Sequence, residues 1–157
     1  MTAMLTEKCK LVGCRAPVDA TTTVTGKVVN TKNYNRVTFV IQAGELAATT
    51  TLTVVKGTTS SASTAIGFNY RKSTTGASGY TELDGALTAV ADTGVAFTNG
   101  SDEYKMIVVE VEVLPDCGAT YDWVGVVLTG CTTGSYFSIL AILSDARYMQ
   151  ALPLTAL

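Results

Sequence analysis

The sequence of 157 residues contains no histidine. Imidazole changes its charge near neutral pH, serves as the base of serine and cysteine nucleophiles, and is the commonest metal ligand in proteins. Its absence excludes His-based nucleophilic and acid–base catalysis and every metal site that needs imidazole. Carboxylate chemistry stays open, so the acidic residues have to be considered separately.

Charge is also scarce. Asp, Glu, Lys and Arg make up 15% of the chain and leave a net charge of -2, whereas about 25% is usual for a globular domain. The basic residues form no cluster, which argues against direct binding of nucleic acid. A surface with so few charges favours contact with other protein surfaces.

No apolar run is long enough to cross a membrane. The longest, from Tyr136 to Leu143, contains Ser138 and is far shorter than the roughly 20 residues of a spanning helix. The N-terminal segment MTAMLTEKCKLVGC carries charges early and lacks the apolar core of a signal peptide. These features predict synthesis in the cytoplasm and no membrane partner.

What the chain does contain is the pattern of an all-β protein. Short runs of Val, Thr, Ile, Tyr and Phe are separated by Gly, Asn, Asp and Ser. The clearest strand is YNRVTFVIQA, residues 34–43, and the run TTTLTVVKG after it is expected to pair with it as a hairpin. AIGFNYRKS, residues 65–73, is expected to form one strand.

In the run MIVVEVEV, strand alternation places Ile107, Val109, Val111 and Val113 on the core side. About eight or nine such strands in one domain predict a two-sheet β-sandwich, and more narrowly a jelly roll.

Both ends of the chain are predicted to be extended arms. Residues 1–16 form an N-terminal arm, 17–147 the β-sandwich domain, and 148–157 a C-terminal arm. The last arm, YMQALPLTAL, is apolar, and each Leu buried against a neighbour would contribute about 1.5–3 kcal/mol. Folding back onto its own sandwich is the alternative. The candidate partner-binding residues on the two arms are Met4, Leu5, Leu11, Val12, Tyr148, Met149, Leu152, Pro153, Leu154 and Leu157.

The acidic pairs carry little chemistry. Glu110 and Glu112 share one strand face about 6.6 Å apart, whereas glycosidase carboxylates face each other across a cleft. Solvation of the sheet is the better interpretation. We predict no catalytic residue, no cofactor and no metal site, and the chain is not expected to be an enzyme.

The four cysteines are predicted to be free thiols, with one disulfide or a metal site as the alternatives. Cys117 and Cys131 lie at opposite ends of a predicted strand about 30 Å long, and a disulfide needs Cα atoms within about 7 Å. Cys9 and Cys14 are close enough in sequence, but a reducing cytosol disfavours their oxidation.

A family resemblance adds to this interpretation. The run KNYNRVTFVIQAG before a Thr-rich strand, together with ILSDARY and a short proline-containing tail, resembles the capsid decoration (cement or head-stabilising) proteins of tailed bacteriophages. The resemblance extends over most of the chain. It implies a sandwich that forms homo-oligomers, with a trimer favoured, and that binds the major capsid protein.

The function that this resemblance implies is structural. The protein would decorate and stabilise an icosahedral phage capsid by binding across adjacent shell subunits, on the outer surface of a virion assembled in the host cytoplasm. Two alternatives stay open, a phage tail-tube or tail-tip/fibre component and a carbohydrate-binding module with Trp123 on a sugar platform.

Overall fold

The structure is a computed structural model that describes residues 5–77 and 80–147. The predictions for Met4 and for residues 148–157 lie outside this range. A short helix, α1 (Leu5–Lys8), precedes the strands. In chain order the strands are β1 (Lys10–Asp19), β2 (Val24–Thr25), β3 (Val29–Asn30), β4 (Tyr34–Ala43), β5 (Thr50–Gly57), β6 (Thr64–Ile66), β7 (Phe68–Lys72), β8 (Gly76–Ala77), β9 (Tyr80–Thr81), β10 (Thr88–Val90), β11 (Val95–Phe97), β12 (Met106–Glu112), β13 (Trp123–Thr129) and β14 (Tyr136–Ala146).

Two antiparallel sheets form a sandwich. Sheet A has the strand order β1-β14-β4-β12-β7-β10. Sheet B is built on the pair β5-β13, with β11 and β6 along the other edge of β5 and with β2 and β3 along the other edge of β13. The predicted two-sheet β-sandwich is confirmed, and the jelly roll within that class stays a prediction.

The core follows from side-chain alternation along each strand. On β12, Ile107, Val109 and Val111 are fully buried, and Val113 directly after it is buried as well, as predicted. The rings of Phe97 and Phe137, one from each sheet, meet edge to face with centroids 5.6 Å apart. Apolar inner faces of both sheets therefore make one continuous core.

The predicted hairpin of residues 34–43 with the following run is wrong. β4 pairs with β14 and β12 in sheet A, whereas β5 pairs with β13 in sheet B. The link between β4 and β5 crosses from one sheet to the other, and Leu46 within it is buried. Each strand buries its apolar inner face in the shared core from its own sheet.

The predicted strand 65–73 divides at Gly67. Its first part, β6, belongs to sheet B, and its second part, β7, belongs to sheet A. At Gly67 a Cβ atom would lie 3.0 Å from the carbonyl oxygen of Val90, which is tight for a side chain. The chain therefore changes sheets at a residue without a side chain.

The N-terminal part of the chain also differs from the prediction. Residues 10–16, which the sequence analysis assigned to an arm, lie in β1, which pairs with β14 at the edge of sheet A. Val12 and Cys14 on this strand point into the core. The sandwich thus begins at Lys10. The sequence did not reveal this strand, because the strand that pairs with β1 lies about 130 residues further along the chain.

A buried ionic cluster joins the two sheets at one edge. The Asp102 carboxylate lies 2.5 Å from Lys72 Nζ and 3.2 Å from Lys105 Nζ, and it accepts the Thr98 N–H at 2.8 Å. Lys72, on β7 of sheet A, also donates to the carbonyl of Ala96 on β11 of sheet B at 3.1 Å. Burial opposes the charged form of Asp102, but these hydrogen bonds and charges outweigh it and lower the pKa of Asp102.

Candidate interaction surface

The outer face of sheet A, called the A face below, carries a row of aliphatic side chains. Leu140 on β14 lies directly opposite Val40 on β4, and Val40 lies directly opposite Val108 on β12. These three residues, the apolar row, point away from the core because each is flanked on its strand by residues that face the core, although Val108 itself is only 9% exposed. Leu140 is 37% exposed to solvent.

The apolar row is extended on both sides. Leu11 on β1, 39% exposed, lies opposite Ile142 on β14. On the other side Met106 lies opposite Gln42. Charged side chains such as Glu110 stand at its margins, so the A face has an apolar centre with a polar rim, which is the usual anatomy of a protein–protein contact.

Two shallow pockets lie at opposite ends of the A face. The first, called the Arg36 pocket, has a volume of about 370 Å³ and is lined in part by Arg36, Glu112 and Leu114. Arg36 Nη2 donates to Glu112 Oε1 at 2.9 Å. The side chain of Leu114 is 48% exposed at this pocket. A partner side chain that enters here would find both an apolar wall and hydrogen-bonding groups.

The second pocket, called the Tyr136 pocket, has a volume of about 200 Å³ and is lined in part by Pro17, Gln42 and Tyr136. The pairing of β1 with β14 shifts register on either side of Arg15, which moves Pro17 away from the regular ladder. Arg36 and Gln42 are six residues apart on one strand, so the two pockets are about 20 Å apart.

The outer face of sheet B, called the B face, has a different character. Its outward positions on β5 and β13 include Thr51, Thr53, Val127 and Thr129, and none of the outward positions on these two strands is charged. The hydroxyl of Thr129 donates to the Thr51 carbonyl at 3.4 Å, within the face. Thr side chains of this kind are compatible with water. Val55 and Val127 also face outward here, but Val55 is only 5% exposed and no outward position on these two strands is a leucine.

The predicted partner-binding residues are distributed unevenly. Leu5 is 60% exposed on α1, and Leu11 lies on the A face. Val12 is 3% exposed and packs in the core, so its side chain is not available at the surface. The remaining seven candidates, Met4, Tyr148, Met149, Leu152, Pro153, Leu154 and Leu157, lie outside the described residues.

The apolar row was not predicted from the sequence. A signal for it was present, because the run SILAILS on β14 and the start of MIVVEVE on β12 are apolar at successive positions. A strand with apolar residues on both faces buries one face in the core and presents the other to a partner or to solvent.

The described residues offer little to covalent chemistry. Among residues 5–77 and 80–147 no group of three or more Cys, Asp or Glu side chains could hold a metal ion. All four cysteines are free, as predicted. Burial raises the pKa of Cys14 to about 11, and burial together with the charge of Asp116 raises the pKa of Cys117 to about 11, so both thiols are protonated at neutral pH.

No helix in the described part of the chain is long and apolar enough to span a bilayer.

No protein-family model matches the sequence, and no curated protein is significantly similar to it. Among solved structures, the SPBc2 prophage-derived protein YomS is similar with 9% identity and a TM-score of 0.35, over 87% of this chain and 93% of that one. The CBM22-1–GH10 modules of Clostridium thermocellum xylanase 10B are similar with 8% identity and a TM-score of 0.37, over 94% of this chain and 28% of that one.

A third similar structure comes from the Gx strain of infectious bursal disease virus, with 11% identity and a TM-score of 0.26, over 87% of this chain and 39% of that one. Similarities of this size concern β-rich architecture and carry no conclusion about function.

Proposed function

We propose that this chain is a structural protein of a virus particle, and specifically that it decorates an icosahedral phage capsid from the outside. In this role it binds across adjacent copies of the major capsid protein and associates with itself, with a trimer favoured. It binds neither nucleic acid nor membrane directly. The observation that carries the proposal is the apolar row on the outside of sheet A, in which Leu140 is exposed, Val40 is half-buried and Val108 is largely covered.

The physical mechanism is linkage. A protein that binds the assembled shell and not its free subunits stabilises the shell by mass action, and the effect grows with concentration and affinity. Because the row lies on three adjacent strands of one sheet, its geometry is set by the core beneath it and changes little on binding. Repetition by capsid symmetry then sums many modest contacts.

The experiment is to add the purified full-length protein to phage particles assembled without it. We expect density for the protein at symmetric positions on the outer shell by electron cryomicroscopy, and we expect the particles to release their DNA at a higher temperature. Particles that stay bare at micromolar protein concentrations would contradict the proposal. Stacked rings or tubes formed by the protein alone would instead favour a tail-tube component.

A further inference from the structure

The A face is longer than the apolar row, and its two pockets indicate the shape of what it binds. The pockets lie about 20 Å apart along β4 with the apolar row between them. A track of this form suits an extended segment of about seven residues with a large side chain at each end and an aliphatic side chain over the apolar row.

Such a segment exists in this chain. Residues 148–157, YMQALPLTAL, contain no charged residue. In an extended chain Tyr148 and Leu154 would project to the same side and lie six residues, about 20 Å, apart. The spacing of these two side chains equals that of the two pockets.

We propose that residues 148–157 of one copy dock along the A face of a second copy. Tyr148 enters the Arg36 pocket, where its hydroxyl reaches polar groups, and Leu154 enters the smaller Tyr136 pocket. Leu152 lies between them over the apolar row. Pro153 would face away from the sheet, and its ring reduces the entropy lost when the segment becomes ordered.

The occupant is a second copy because the chain's own tail cannot take this register. Arg147 is still held in the plane of sheet A, where its N–H donates to the Asn33 carbonyl at 3.0 Å and its Nε donates to the Tyr34 carbonyl at 3.2 Å. The Arg36 pocket lies opposite Ser144, three residues before Arg147.

Asp145 also lines this pocket, but a reversal onto the same molecule would use roughly two to five residues for the turn. Too few residues would then remain for Tyr148 and Leu154 to occupy both pockets at once. Residues 148–152 also contain no Gly, Asn or Asp to form such a turn. In a neighbouring molecule the whole segment remains available.

This inference rests on the self-association in the proposed function, and it is tested without capsids. Full-length wild type, Leu140→Glu, Leu154→Glu and the double variant are compared by sedimentation equilibrium. We expect each single change to weaken self-association at least about tenfold, because a charge replaces a leucine that the proposed contact buries. Self-association of the double variant should be no weaker than that of the more strongly affected single variant, since both changes disrupt the same contact.

Val127→Glu on the B face is the matched control and should change self-association less than about twofold. Mixing Leu140→Glu with Leu154→Glu then tests the exchange directly. The first variant keeps an intact tail and the second an intact A face, so the mixture should form mixed complexes that neither variant forms alone.

A monomeric wild type, additive effects in the double variant, or the absence of mixed complexes would overturn the inference. The particle-binding experiment separates this failure from that of the proposed function. A monomer that still binds particles overturns tail exchange alone, whereas self-association through this contact without particle binding overturns the decoration role alone.

Discussion

The two outer faces of this sandwich are built from strands of similar length and differ in what they present. The A face has aliphatic side chains in register across three strands, with a pocket at each end. Threonine hydroxyls on the B face bond within the face, and its outward-facing aliphatic side chains, Val55 and Val127, are buried or half-buried. An exposed aliphatic surface is costly in water unless it is covered, whereas a threonine surface is tolerated.

Low charge therefore corresponds to different surface chemistry on the two faces of this protein. Both faces are poor in charge at their centres, yet exposed leucine and two concave ends occur together on the A face. Average composition therefore indicates that the protein contacts partners, and the arrangement of side chains indicates where. Substitutions on each face, and in the cluster that joins the sheets, can test this contrast.

The largest expected effect concerns the cluster that holds the two sheets together. Asp102→Asn leaves Lys72 and Lys105 without their carboxylate, and removing one partner of a buried ion pair costs about 3–5 kcal/mol. Lys72 is 26% exposed, so we expect the free energy of unfolding to fall by about 3 kcal/mol, measured by urea denaturation.

The control for this change is Glu112→Gln at the rim of the A face. Its pair with Arg36 has side chains 43% and 58% exposed, and such pairs contribute about 1 kcal/mol or less. Equal losses of unfolding free energy in the two variants would show that the Asp102 cluster stabilises the sandwich no more than a surface ion pair does.

The second prediction exchanges a charge between the faces. Val40 on β4 and Val127 on β13 are both half-buried, outward-facing valines on central strands. Val40→Glu should weaken self-association and particle binding at least about tenfold, since it places a charge in a desolvated contact. Val127→Glu should change either one less than about twofold. Similar midpoints of urea unfolding would show that both variants are folded. An equal loss of binding in both variants would contradict the proposed difference between the faces.

The third prediction uses the pKa of Asp102, which the cluster lowers from the usual 3.8. The unfolded chain binds this proton more tightly than the folded one, so the contribution of Asp102 is complete above about pH 4 and disappears as pH falls through the lowered pKa. The difference in unfolding free energy between wild type and Asp102→Asn should therefore shrink below pH 4. A difference that is constant from pH 7 to pH 2 would contradict this assignment.

The smallest effect is expected at Trp123, which lies half-buried on the B face opposite Gly57 and Asn30. If the B face has no binding role, glycan-array signals of wild type and Trp123→Ala should agree within about twofold. Binding of a defined glycan by wild type, lost in Trp123→Ala and kept in Val40→Glu, would support the carbohydrate-binding alternative and reverse the roles of the two faces.

Several features could be predicted from the sequence because they depend on neighbours in the chain. The alternation in residues 106–113 identifies the buried side of β12, and the spacing of Cys117 and Cys131 predicts free thiols. The pairing of β4 and β5 could not be predicted in this way. Strands that follow each other in sequence have the same local pattern whether they pair in one sheet or lie in opposite sheets. The same limit applied to residues 10–16, whose partner strand begins at Tyr136.

The β class and the buried side of most strands follow directly from the amino-acid sequence, because side-chain alternation is a property of a single strand. The tertiary structure alone decided which strands are neighbours. Residues 140, 40 and 108 form one row because three segments distant in sequence pair in one sheet, and that pairing depends on how the whole chain buries its apolar surface.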